Sequence, residues 1–554
     1  MSIDIETYRL KAQEAIEYVF VKEYHNSLGI PMPIVKILLP DDANYSTGQY
    51  YITIDKTWQI HLNFGKLPIS YHEFQNEVKV LTRHEIEHYM CCPFDVITHF
   101  RMLKRIKDVY YKHFSHLGIN IKYACGAISN QAADIIVDTK NYYRHSKETL
   151  KSEIDWIKIG ANISACPRHC KLMFLTKEAI WKEDLGINET DPEFLKIVHQ
   201  LADSFTKNGI EDKSSFLDKV EEYAEIFFKL YVEDQKNPQQ SGQQGSQQQS
   251  GQWGVGRPKD GDEHGNAFVF ADPDKVKEAI EVLAEETSVE EFIDLLAIAG
   301  IIGMSDKQKG VLWFNVQSAN IIPIVEFSNT GNKSSYTYPS VWRIGDPIEE
   351  LDLMLTYMTS PRLIPGMTTK KWEYVSNDDN GTESKQMDLL LVVDTSGSMG
   401  SAMKESANMH QAVLASYGIL SYFESTKSKV AFIGFSDKID AYVDWSDKYD
   451  DVRERLLTNG HGGTKFPISR IKSTLDVRSR DLVTVLITDG DLGNINESVS
   501  YFRDYLNDDN KLYIFLLVGS KSLHSYEPLK NIGAKIYNAN NANEFCDMVL
   551  TDME

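Results

Sequence analysis

Two sets of residues in this 554-residue chain have the types and spacing for metal chemistry. The first is His84, Glu85 and His88 in RHEIEHY. On a helix the two histidines stand one turn apart and can point a ring nitrogen at one Zn2+, with Glu85 placed to polarise a water held there. The second set begins in DTSGS, where Asp394, Ser396 and Ser398 alternate around a glycine. One carboxylate and two hydroxyls of this kind are small, hard oxygen ligands suited to Mg2+ or Mn2+. GHGGTKF adds Thr464 on a glycine-rich loop, and LVTVLITDG adds Asp489 after an apolar run.

Each set needs elements to position it. Met387 to Val393 and Leu482 to Thr488 are almost wholly apolar, as strands buried on both faces of a parallel sheet must be. Ligand sites in such sheets collect at the carboxyl ends of strands, so Asp394, Thr464 and Asp489 should reach one edge. The pattern from 387 onward reads as strand, metal loop, helix 402 to 424, strand Lys429 to Phe435, then further alternation through a strand at Lys511 to Val518 and a final helix. That alternation predicts a doubly wound α/β domain.

Around the first set, Ile34 to Leu39, GQYYITID and WQIHLNF read as strands, the last two joined at Asp55, Lys56 and Thr57. A helix is expected from about Glu73, with Phe74, Val78, Leu81, Glu85, His88 and Cys92 on one stripe, and Pro93 ends it. A second helix, Ser129 to Tyr143, carries Asn130, Asp134 and Asp138 at intervals of four among Ala132, Ala133, Ile135, Ile136 and Val137. Acidic groups in so apolar a segment are costly unless paired or bound to metal. His99, His113 and His116 are rival third ligands. Cys166, His169 and Cys170 in ACPRHC have no second pair nearby and are read as ordinary side chains.

The order DTSGS, GGT threonine, TDG aspartate resembles the metal-ion-dependent adhesion site (MIDAS) of von Willebrand factor type A domains, over roughly the last third of the chain. The H-E-x-x-H helix following strands resembles zincin metallopeptidases. The Asn130, Asp134, Asp138 helix resembles the gluzincin pattern, which implies Asp134 as the third zinc ligand and Asp138 as the group orienting a ligand histidine. Here Asp stands where Glu is commoner. Arg83 before the motif and Glu87 inside it depart from the uncharged zincin signature, and both are expected on the solvent side of the helix.

The whole chain is similar to a bacterial family of H-E-x-x-H metallopeptidases fused to type A domains. That resemblance implies a zinc peptidase with catalytic Glu85, and a MoxR-type AAA+ ATPase as a partner presenting a carboxylate to the type A metal. A non-catalytic adaptor for such an ATPase is the alternative. The expected organisation is α/β multidomain: a zincin-like α+β unit at 1–165, a helical extension at 166–236, a Gln/Ser/Gly-rich linker at 237–268, a helical and mixed segment at 269–386 packing on the type A domain, and the type A domain at 387–554. Trp313, Trp342 and Trp372 are expected to pack against that last domain, while 311–386 reads as short strands and turns. The linker makes a fixed geometry between the two halves unexpected.

A net charge of −22 without a Lys/Arg run argues against nucleic acid or anionic membranes as partners. The first twenty residues form a mixed-charge amphipathic pattern, not a secretory signal, and the longest apolar run, Leu295 to Met304, is too short to span a bilayer. Six cysteines in a chain this long suggest no disulfide framework, so a cytoplasmic location is expected.

Overall fold

The computed structural model describes residues 5–28, 31–42, 50–54, 59–64, 70–159, 163–236, 273–299, 301, 304–321, short stretches between 340 and 371, 387–478, 482–490, 492–508, 510–517 and 523–539. The expected linker at 237–268, the turn at 55–57 and Trp372 lie outside these residues.

The amino-terminal part opens with α1 (Ile5–Glu17), then β1 (Ile34–Leu38), β2 (Tyr50–Ile54) and β3 (Gln59–Phe64). These strands make a small sheet in the order β1-β3-β2, parallel between β1 and β3 and antiparallel between β2 and β3. It lies against α2 (Tyr71–Met90), and Ile60, Leu62, Phe74, Val78 and Ile86 share a core with α1. Ser70 caps α2 in a reciprocal box with Glu73, and the helix stops just before Pro93, as its sequence predicts.

The helices α3 (Val96–Val109), α4 (Ile121–Ile159), α5 (Arg168–Trp181), α6 (Pro192–Thr206) and α7 (Phe216–Lys236) follow. The predicted helix at 129–143 is the middle of α4, which runs for 39 residues and breaks its helical geometry at His145.

After the linker, α8 (Pro273–Glu286) and α9 (Val289–Ile298) are two acidic helices within the stretch expected to be helical and mixed. A third helix, α10 (Asp306–Ile321), occupies ground read from the sequence as strands and turns. Its apolar residues, Val311, Trp313 and Phe314, are buried. Short strands β4 (Ser340–Val341), β5 (Leu351–Asp352) and β6 (Lys370–Lys371) form a separate sheet, in which Trp342 bonds through its backbone to Thr369.

The carboxyl-terminal part is a six-stranded sheet of β7 (Asp388–Asp394), β8 (Val430–Phe435), β9 (Ile439–Ser446), β10 (Leu482–Thr488), β11 (Lys511–Leu517) and β12 (Lys535–Ala539). The order is β12-β11-β10-β7-β8-β9, and every pairing is parallel except β8 with β9. Helices α11 (Asn408–Ser425), α12 (Tyr449–Leu456), α13 (Ile468–Leu475), α14 (Val499–Asn507) and α15 (Leu523–Lys530) connect the strands. The sheet is buried on both faces: Leu389, Leu391 and Val393 of β7 enter one core, and Leu390 and Val392 enter the other. Strands β9 and β12 were missed in the sequence pattern. The reason is plain for β9, a half-exposed edge strand without a continuous apolar run. The first helix starts at Asn408, not 402, because Gly400 at φ 74° turns the chain into a loop first.

The two halves are not strung loosely, contrary to the sequence expectation. One core runs from α3 and α4 through α9 and α10 to α11 and the first face of the large sheet. The Trp313 ring lies against His410 of α11 at a tilt of 51°, with ring centroids 5.3 Å apart. On the other side Lys104 of α3 meets Glu291 of α9 at 2.6 Å, and Arg101 meets Glu286 at 2.5 Å. These partly exposed pairs contribute on the order of 0.2–1 kcal/mol each. Burying a side chain such as Leu283 or Phe292 contributes about 1.5–3 kcal/mol. Apolar contact therefore holds α8 and α9 against α3, and the ion pairs orient them.

Candidate metal centres

Helices α2 and α4 cross so that His84, His88 and Asp134 bring one ligand atom each to within 4.8 Å of one another. The two Nε2 atoms are 3.1 Å apart, and Asp134 Oδ1 lies 3.2 Å from His88 Nε2 and 3.5 Å from His84 Nε2. The far side of each ring is fixed. His88 Nδ1 donates to the Cys92 carbonyl oxygen at 2.8 Å, and His84 Nδ1 donates to Asp138 Oδ1 at 2.6 Å. A carbonyl and a carboxylate accept only, so each ring carries a proton on Nδ1 and turns Nε2 inward as the nitrogen free for a metal. Two ring nitrogens and a carboxylate oxygen then face one point. Positive charge is favoured at that point, whether a metal ion or a proton on Nε2 supplies it.

The surroundings reinforce this demand for positive charge. Burial lowers the His84 pKa, but the charges of Asp138, Asp134 and Glu85 outweigh it and bring the pKa up to about 10. Glu85, one residue along from His84, is itself buried. Asp134 is steadied by Asn130, whose amide donates to Oδ2 at 2.9 Å. The donor set of two imidazoles and one carboxylate fits Zn2+ with one position left over, the composition of a catalytic rather than a closed structural site. Access is narrow, since His88 is 1% exposed and His84 is 21% exposed at the side chain.

Of the rival ligands, His113 and His116 are exposed, and the group of His84, His88 and Asp134 includes none of the three. His99 is buried on α3, and burial with the nearby His88 pushes its pKa down to about 4. His169 instead bonds Asp234 at 2.8 Å, and no cluster among the described residues joins it to Cys166 or Cys170.

The expectation that Arg83 and Glu87 face solvent is overturned. Arg83 is 3% exposed and holds Glu23 through both carboxylate oxygens, at 2.8 and 2.6 Å, with Glu148 as a third contact. Glu87 is fully buried between Tyr24, Lys140 and Arg144, at 3.0, 2.8 and 2.8 Å. Helix α2 is enclosed on more than one side, and partners from distant segments make its charged positions affordable.

Sequence reasoning also missed Lys177 of α5. It is 2% exposed and donates to Asp138 Oδ2 at 2.6 Å and to Glu153 at 2.8 Å. Only the apolar run Leu172 to Leu175 just before it hinted at a buried charge.

The second centre sits at the carboxyl ends of β7 and β10, where Thr488 Oγ1 donates to Asp394 Oδ2 at 2.7 Å. Asp394 Oδ1 accepts the Ser396 backbone N–H at 2.8 Å. The Ser396 and Ser398 hydroxyls are 3.2 Å apart, and Ser398 donates to Asp489 Oδ1 at 3.0 Å. Asn408, the first residue of α11, donates to Asp489 Oδ2 at 3.0 Å. Asp394, Ser396, Ser398 and Asp489 are thus joined in one hydrogen-bonded chain. Burial raises the Asp394 pKa, opposed by its two donors and assisted by the charge of Asp489.

Thr464 is half-buried on the adjoining loop. The Gly397 N–H donates to the Gly462 carbonyl at 3.3 Å, so that loop lies against the serine loop. Gly460 is obligatory there, because a Cβ would fall on Asp440 and within 2.5 Å of the Thr395 carbonyl oxygen. These hard oxygen atoms, two of them charged, fit Mg2+ or Mn2+.

Among the described residues no helix is long and apolar enough to cross a membrane. Neither a family model nor a curated protein matches the sequence. Among solved structures the chain is similar to the conserved hypothetical protein BatB from Bacteroides thetaiotaomicron, at 12% identity and a TM-score of 0.25, over 30% of this chain and 98% of that one.

Proposed function

We propose that the protein is a zinc-dependent metallopeptidase whose carboxyl-terminal domain, a type A domain by its motifs, recruits a protein partner or substrate through Mg2+. The observation that carries the reading is the convergence of His84 Nε2, His88 Nε2 and Asp134 Oδ1 with both Nδ1 atoms tied back. Zn2+ bound there would polarise a carbonyl oxygen and lower the pKa of water. Glu85, on the same turn as His84, is placed to serve as general base and then general acid, and would accept a proton from water and pass it to the leaving amine. Asp138 and the Cys92 carbonyl hold the two imidazoles in their ligating tautomers.

In the carboxyl-terminal domain, Asp394, Ser396, Ser398, Thr464 and Asp489 would hold Mg2+ and leave a position for a carboxylate of a partner. An AAA+ ATPase of the MoxR type is the partner class that the motif resemblance implies. Turnover decides between a peptidase and a metal-binding adaptor. Glu85→Gln should keep zinc at one per chain, measured by mass spectrometry, and lose peptide hydrolysis by about two to four orders of magnitude. A variant as active as wild type removes the peptidase reading.

A further inference from the structure

The buried ammonium of Lys177 lies one residue away from the candidate zinc ligands, on a helix with no part in the motif. We infer that Lys177 is a positioning residue for the zinc centre: by donating to Asp138 Oδ2 it locks the carboxylate that holds His84 in its ligating tautomer. The inference rests on the metal-site reading above and deepens it.

The geometry runs through three helices. His84 stands on α2, Asp138 and Glu153 on α4, and Lys177 on α5. A lysine ammonium has donors and no acceptor, so Asp138 must receive at Oδ2, which leaves Oδ1 to receive the Nδ1–H of His84. The imidazole is then oriented by a carboxylate that is itself oriented, and Nε2 is the only nitrogen that can serve a metal. Without Lys177, Asp138 would keep one tie, to His84, and could rotate about its own side-chain torsions. Glu153 would lose the cation it shares with Asp138.

Electrostatics points the same way. Asp138, Asp134 and Glu85 all bear on His84, and a divalent cation would stand among them. The Lys177 ammonium and the Asp138 carboxylate are buried together with opposite charges 2.6 Å apart. Burial opposes charge on Lys177, and Asp138 and Glu153 overcome that cost. The lysine is therefore a fixed counter-charge on the side of Asp138 remote from the metal.

A matched control exists within the same helix pair. Lys140 of α4 makes a buried ion pair with Glu87 of α2 at 2.8 Å and touches none of the zinc ligands. Its loss should weaken helix packing without disturbing the imidazoles.

The test measures equilibrium Zn2+ affinity by competition with a chromophoric chelator, and the visible absorption of the Co2+-loaded full chain, for wild type, Lys177→Met, Lys177→Gln, Lys177→Arg and Lys140→Met. Lys177→Met should lose about 10- to 100-fold in Zn2+ affinity and shift the Co2+ bands. Lys177→Gln, which retains a donor, should lose less and serves if the methionine variant does not fold. Lys177→Arg should recover much of the loss, and Lys140→Met should match wild type in both readouts. Wild-type affinity and an unshifted Co2+ spectrum in both Lys177→Met and Lys177→Gln would overturn the inference, as would an equal loss in Lys140→Met. A wild-type chain that binds neither metal overturns the metal-site reading itself, and the inference with it.

Discussion

The two candidate metal centres hold their ligand groups in opposite ways. At the carboxyl-terminal centre the ligand groups satisfy one another: Ser396 meets Ser398, Ser398 donates to Asp489, and Asp394 takes donors from Ser396 and Thr488. At the amino-terminal centre each ligand is tied back by a different group, and the inward atoms converge on one point. A set of ligands with bonds to each other can release its cation at small cost and suits a reversible, partner-dependent site. A buried set whose members are each anchored from behind suits a tightly held ion. Construction matches this difference, since one centre is made of loops at strand ends and the other of buried side chains on crossing helices.

The sharpest way to break the contrast is to remove His88. His88→Ala should take zinc from one per chain to none and lower the melting temperature, because a ligand present at a thousand times its Kd contributes about 4 kcal/mol to stability. Mg2+ at a concentration equal to its Kd should raise the wild-type melting temperature by far less, as a half-filled site gains only about 0.4 kcal/mol. Elemental analysis and thermal unfolding read both, and equal shifts from the two metals would dissolve the distinction.

Asp394→Ala should abolish Mn2+ binding, seen by paramagnetic resonance, while zinc content stays at the wild-type value. Its stability cost should be about 1–3 kcal/mol, for the Thr488 hydroxyl and the Ser396 N–H left without their acceptor. Zinc lost along with Mn2+ would mean that the centres are not separable. Gly460→Ala should weaken Mn2+ roughly tenfold, about 1.4 kcal/mol, by pushing the Thr464 loop off Thr395 and Asp440.

The smallest effect is expected from Gly310→Ala in α10. The added Cβ would come 2.6 Å from Met403 Cε, the far end of a flexible side chain in the segment after the serine loop. A change of under about threefold in Mn2+ affinity is expected, below about 0.7 kcal/mol. A larger one would show that α10 sets the shape of the metal loop.

The sequence revealed both centres because each is written in local periodicity. His84 and His88 are four apart, Asp134 and Asp138 are four apart, and Asp394, Ser396 and Ser398 alternate. Asp394 and Asp489 could be joined at a distance because both follow apolar strands that a parallel sheet must bring side by side. What stayed hidden depends on long-range pairing. Arg83 looked solvent-facing because its partners, Glu23 and Glu148, lie some sixty residues away on either side. Lys177 looks like any lysine until α5 is laid across α4. Helix α10 was misread because its apolar residues serve two neighbours at once, Thr287 through the Trp313 indole and His410 through both rings, which blurs any single stripe.

The docking of α8 and α9 on α3 has a consequence for how the chain is made. Cover for Phe100, Leu103 and Ile106 comes in part from helices that begin only at Pro273 and end, with α10, at Ile321. At about 5–20 residues per second, translation needs on the order of 4–17 s to pass from the end of α7 to the end of α10. For that interval the nascent amino-terminal half carries a basic and apolar helix face that awaits its own later sequence, a target for holding chaperones.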